Sequence, residues 1–262
     1  MYHATPGPSL SAGSALLLVL AAIATLIAAG QLAVLLGAPL LVALVAGQLG
    51  MLALALGVLR VARLPLRALG IAAAPLRLVA AAVLIGSSAW YLNLALVDAL
   101  VTVEPDETLA LQRLVERPAL LAVLLAVALV PALCEEVLFR GALLRGLASR
   151  IAPGAALVVS AAMFAIYHFR PVQMLPTFTL GLVLGALVLR GGSILPSALA
   201  HCINNAMAIV VHRQASEPLS RGLAEHPHLA LAGFGALFVV GTAVAVTAPA
   251  PAAPARIESA AP

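Results

Sequence analysis

The chain has 262 residues, of which 63% are apolar and only 9% charged, with a net charge of +4 and a mean hydropathy of +1.13. So few polar groups cannot cover the surface of a soluble domain of this size, and lipid must serve as solvent for much of the chain. Every basic side chain is an arginine, and no basic cluster is interleaved with aromatics, which excludes a nucleic-acid-binding module.

The apolar stretches set the architecture. No Asp, Glu, Arg or Lys precedes Arg60, and 78–97, 119–134, 151–169, 171–189, 191–212 and 229–255 are equally free of formal charge. Each approaches or exceeds the roughly 20 residues that a helix needs to cross about 30 Å of hydrocarbon. The expected fold is therefore all-α: a polytopic transmembrane bundle of about eight helices, near 12–36, 39–59, 78–98, 118–147, 154–169, 172–189, 194–212 and 229–248. Met1–Ser9 lacks the basic residues of a secretory signal, so the first stretch reads as a transmembrane helix.

Alternate connections carry different charge. One set holds Arg60, Arg63, Arg67, Arg77, Arg140, Arg145, Arg150, Arg190 and Arg256 against Glu258 alone. The other holds five arginines and seven acids, from Asp98 through Glu225. The positive-inside rule puts the arginine-rich side and both termini in the cytoplasm. By segment, 1–11 is a short tail and 12–117 holds the first helices and a polar outer loop containing Glu104, Pro105, Asp106 and Glu107. Residues 118–212 form a core rich in unusual polar groups, 213–248 an outer loop and the last helix, and 249–262 an Ala/Pro-rich tail expected to be disordered. The arginine-only, Ala/Leu-rich composition suggests a high-GC genome and a bacterial inner membrane.

Ionisable groups inside spanning segments cost around 2.5–3.5 kcal/mol each on insertion scales and so point to function. Here they are Glu135, Glu136, His168 and His201, with Asn204 and Asn205 beside the last. Glu136 and Arg140 are four apart on one helical face, with the acid on the N-terminal side, the order that favours an ion pair. Glu135 is rotated about 100° away and remains available for chemistry. His168 lies 33 residues on, and a hairpin turning at Pro153-Gly154 brings it to the depth of Glu135. His201 follows the Arg190–Ser193 turn by about 12 Å of helix from the same side. Asn205, four residues after His201, shares its face, and the pair offers donors for a developing oxyanion. Asn204 reads equally as an interhelical hydrogen-bonding amide. Phe164 and Tyr167 read as packing residues beside His168, and Cys134 and Cys202 as small apolar fillers.

Glu135-Glu136-Val137-Leu138-Phe139-Arg140 resembles the E-E-x-x-x-R motif of the CPBP family, the CAAX proteases and bacteriocin-processing enzymes. Phe164–His168 is similar to its F-x-x-x-H, and His201–Asn205 to its H-x-x-x-N; the likeness covers Ala119 to Val210. Where the family often has Thr-Gly-Ser, this chain has Gly191-Gly192-Ser193. The first three helices carry no signature. The resemblance implies a metal-free, glutamate-dependent intramembrane endopeptidase acting on a membrane-associated protein or peptide. In it Glu135 is the general base, His168 holds and polarises the attacking water, His201 and Asn205 stabilise the oxyanion, and Glu136 and Arg140 support them.

Two alternatives stay open on the sequence. Glu135, His168 and His201 are also a possible zinc ligand set, two histidines and a carboxylate, although the chain has no H-E-x-x-H. The second alternative is a membrane scaffold, immunity protein or transporter that keeps the polar cluster for structure or ion passage. An aspartyl protease lacks its pair of membrane aspartates, since Asp98 and Asp106 sit at or beyond a helix end, and a rhomboid-like serine has no G-x-S-x motif.

Overall fold

A computed structural model describes residues 9–101, 115–116 and 118–249. The outer segment containing Glu104, Pro105, Asp106 and Glu107, most of the N-terminal tail and residues 250–262 lie outside it. Among the described residues the chain is all-helical, with nine helices and no strand. They are α1 Ala12–Leu35, α2 Leu40–Val61, α3 Leu76–Leu100, α4 Leu120–Ala148 and α5 Pro153–Tyr167. Then come α6 Pro171–Gly191, α7 Leu195–His212, α8 Glu217–Glu225 and α9 Pro227–Thr247.

Six of these (α1, α2, α3, α4, α6 and α9) are long and apolar enough to cross a membrane. Helix α5 has only 15 residues, and α7 carries His201, Asn204 and Asn205. The segment 213–228, expected as a loop, contains α8. It is an exposed helix with Pro218 in its first turn and an Arg221–Glu217 pair at four-residue spacing.

Local chemistry fixes the boundaries. Ser11 caps α1 by accepting a hydrogen bond from the Ser14 N–H at 3.1 Å. Prolines open α5, α6, α7 and α9, where a missing N–H costs nothing. Gly192, at φ 69°, ends α6 in the left-handed conformation and donates to the Val188 carbonyl at 2.7 Å.

Helix α4 is the hub, touching α1, α2, α5, α6 and α7, and Leu138, Phe139, Leu143 and Leu144 on it are fully buried. Helices α1 and α2 pair with each other, as do α5 with α6, while α3 packs against α7 and α9. Gly86 makes the α3–α7 approach possible: a Cβ there would lie 2.6 Å from the Ala200 carbonyl oxygen. Outward-facing Leu17, Leu35, Leu121 and Val239 remain exposed, as a lipid-facing surface requires.

Helix α4 departs from regular α geometry, which its apolar pattern does not foretell. Leu124–Leu129 and Glu136–Leu144 are π-helical. Pro131 supplies one cause, since it has no N–H to offer the Val127 carbonyl four residues earlier. That carbonyl instead accepts from the Asn205 side-chain amide of α7 at 3.2 Å. The second π segment is pinned by Ser160 of α5, whose hydroxyl donates to the Phe139 carbonyl at 3.0 Å. Single π turns within α-helices concentrate at functional sites.

Candidate active site

The site is built where α2, α5 and α7 meet α4. Glu136 is fully buried and Arg140 nearly so, and Arg140 Nη1 stands 2.9 Å from Glu136 Oε1, the four-residue pair expected from the sequence. Two hydrogen-bond donors converge on the same carboxylate, the Ser197 hydroxyl on Oε2 and His201 Nδ1, 3.1 Å from Oε1. The Arg140 charge and these two hydrogen bonds offset the cost of burying the carboxylate. Arg140 is fixed in turn: its Cζ lies 4.1 Å over the Phe164 ring, and Nη2 reaches the Gly181 carbonyl at 3.5 Å.

Glu136 orients His201. With Nδ1 donating to the carboxylate, Nε2 points the other way, toward Glu135 Oε2 at 3.9 Å. That separation is too long for a direct hydrogen bond. Glu135, 4% exposed, is held from two further elements. Gln48 Nε2 on α2 donates to its Oε1 at 2.7 Å, and the Tyr167 hydroxyl lies 3.4 Å from the same oxygen. The two adjacent glutamates thus occupy different environments, one locked in an ion pair and one facing an imidazole.

His168 caps the C-terminus of α5, half-buried. Its Nδ1 is 2.8 Å from the Phe164 carbonyl, which can only accept, so Nδ1 carries the proton and neutral His168 keeps its lone pair on Nε2. Its ring meets Phe164 and Tyr167 edge-on, with centroids 4.9 Å and 5.2 Å apart. Among the described residues no hydrogen bond or ion pair joins His168 to Glu135; the link runs through Tyr167, and through Phe164 to His201.

Asn205, expected beside His201 as an oxyanion donor, gives its amide to the Val127 carbonyl, and its Oδ1 accepts from Asn204 Nδ2 at 3.1 Å. Asn204 Oδ1 is buried without a partner among the described residues. Cys134 is buried and Cys202 half-buried, and both are free thiols.

The zinc alternative finds no fitted donor set: among the described residues no three His, Cys, Asp or Glu side chains are grouped to hold a metal. A groove of about 350 Å³ between α3 and α9, lined by Tyr91, Asp98, His228 and Leu231, contains none of the residues above.

Sequence reasoning passed over Gln48 and Ser197. Ser197 precedes His201 by four, so its shared face was readable. Gln48 had no such signal, being one amide in a helix otherwise without polar side chains until Arg60.

No curated protein and no solved structure matches the chain. A family model does, over the stretch that supplies both glutamates, both histidines and Ser197. Residues 117–207 match the family model described as type II CAAX prenyl endopeptidase Rce1-like.

Proposed function

We propose that this chain is an intramembrane endopeptidase that hydrolyses a membrane-associated protein or peptide by a glutamate-dependent mechanism. The observation that carries the reading is the opposition of Glu135 Oε2 and His201 Nε2 at 3.9 Å, inside a bundle and within a protease-family domain. Glu135 is the general base. It removes a proton from water as the water oxygen bonds to the scissile carbonyl carbon, and the carbonyl electron pair moves onto oxygen. His201 acts here as the imidazolium, with Nδ1 donating to Glu136 and Nε2 donating to that oxyanion, and Asn205 is the second donor when its amide turns from Val127. The Glu135 proton then passes to the departing amine as the C–N bond breaks. His168, with a lone pair on Nε2, accepts from the water and orients it. Glu136 and Arg140 act by fixing His201.

Burial of the cluster favours this assignment, because fixed dipoles in a site closed to bulk water are worth more than in solution. The arginine distribution favours a cytoplasmic location for both termini in a bacterial inner membrane. The test compares N-terminal peptides of membrane proteins in cells carrying the wild-type chain or Glu135→Gln at equal membrane levels. A set of internal N-termini lost in the variant identifies the substrates. Identical profiles would leave the scaffold or transporter reading standing.

A further inference from the structure

Gln48 lies 87 residues before Glu135 and outside the matched stretch 117–207. It is 5% exposed in the middle of an apolar helix, where a free amide is costly. Both amide hydrogens are used: Nε2 donates to Glu135 Oε1 at 2.7 Å and to the Tyr167 hydroxyl oxygen at 3.2 Å. The Tyr167 hydroxyl is thereby free to donate to the same Glu135 oxygen, closing a three-membered ring of hydrogen bonds. The carboxylate settles which way the amide faces, because the reverse orientation would set two acceptors against each other. Gln48 Oε1 is consequently left buried with no partner among the described residues.

Two consequences follow for Glu135. With Oε1 occupied by Gln48 and Tyr167, the oxygen left to act as base is Oε2, the one that faces His201. The orphan carbonyl of Gln48 requires a donor, and a water molecule is the small donor that a buried polar recess takes up. We infer that Gln48 is a positioning residue for the proposed hydrolysis: it clamps one oxygen of Glu135 so that the other is the base, and its own carbonyl accepts a hydrogen bond from site water. This rests on the proteolytic reading given above.

Two shape-preserving variants test it. Gln48→Met removes the donor and the acceptor, and Gln48→Glu replaces the donor by a second carboxylate oxygen. In cells, both are expected to lower the yield of the Glu135-dependent N-termini at unchanged membrane level. For the purified chain, acting on the peptide spanning the most abundant of those termini, kcat should fall by about tenfold to a hundredfold with KM within about twofold, the pattern of a misplaced base. Infrared difference spectra supply a readout independent of turnover. The carboxylate band abolished by Glu135→Gln should shift in Gln48→Met, since that carboxylate loses its shortest hydrogen bond. A Gln48→Met chain with kcat within twofold of wild type, or with an unmoved carboxylate band, would overturn the inference. If Glu135→Gln itself spares the N-termini, the proteolytic reading and the inference fall together. If it removes them while Gln48→Met does not, the inference falls alone.

Discussion

Replacing Arg140 by Met should unfold or strongly destabilise the bundle, whereas replacing Arg140 and Glu136 together should not. Arg140 is 1% exposed and Glu136 0%, and their charged atoms stand 2.9 Å apart. Removing one member of a buried pair strands the other, at a typical cost of about 3–5 kcal/mol. Loss of the guanidinium stacked on Phe164 adds about 2 kcal/mol at a desolvated site. In the double variant Glu136→Gln/Arg140→Met no charge is stranded, and such neutral replacements of buried pairs are often close to neutral in stability. Unfolding equilibria in bicelles, run as a double-mutant cycle, give the coupling. We expect the single Arg140 variant to lose at least about 3 kcal/mol and the double variant to recover most of it. The double variant should still be inactive, because His201 Nδ1 has lost its anionic anchor. A single variant within about 1 kcal/mol of wild type, as for an exposed pair, would refute this account of the buried cluster.

Other outcomes are equally specific. Asn205→Ala should destabilise the chain by about 1–3 kcal/mol, because the Val127 carbonyl loses the Asn205 amide and Pro131 has no N–H to offer it. Adding Pro131→Ala, which restores a backbone N–H, should recover that stability without restoring turnover; recovery of both would remove Asn205 from the reaction. Gly86→Ala should cost about 1–3 kcal/mol in the same assay, because its methyl meets the Ala200 carbonyl, and a neutral result would mean that α3 and α7 separate easily. Turnover should survive exhaustive chelation; loss on chelation and recovery with zinc would replace the glutamate mechanism by a metal-dependent one.

The helical boundaries were legible because long charge-free runs leave little choice, and so was the Glu136–Arg140 pair, which a four-residue spacing selects. Matching depths along the hairpin predict His168 near the level of Glu135, but depth does not give azimuth. His168 is joined to the site through the rings of Tyr167 and Phe164. Gln48 was illegible because hydropathy cannot rank one amide above another: Gln31 sits on an exposed face of α1 while Gln48 is buried, and only the packing of α2 on α4 separates them. The π-helical turns were likewise hidden. Pro131 announces a lost hydrogen bond, but the partner that repairs it comes from Asn205, 78 residues away from Val127.

The shortness of α5 has a consequence for the surrounding lipid. Fifteen residues rise only about 22 Å, several ångströms less than an average hydrocarbon layer of about 30 Å. The acyl chains beside Val158, Val159 and Ile166, which face outward, must shorten their reach or yield to headgroups, at a fraction of a kcal/mol per Å. Thinning of this kind is expected beside the helix that ends at His168. Solvent travelling to the carboxylates there meets a thinner oily barrier than it would alongside the 24 residues of α1 or the 22 of α2.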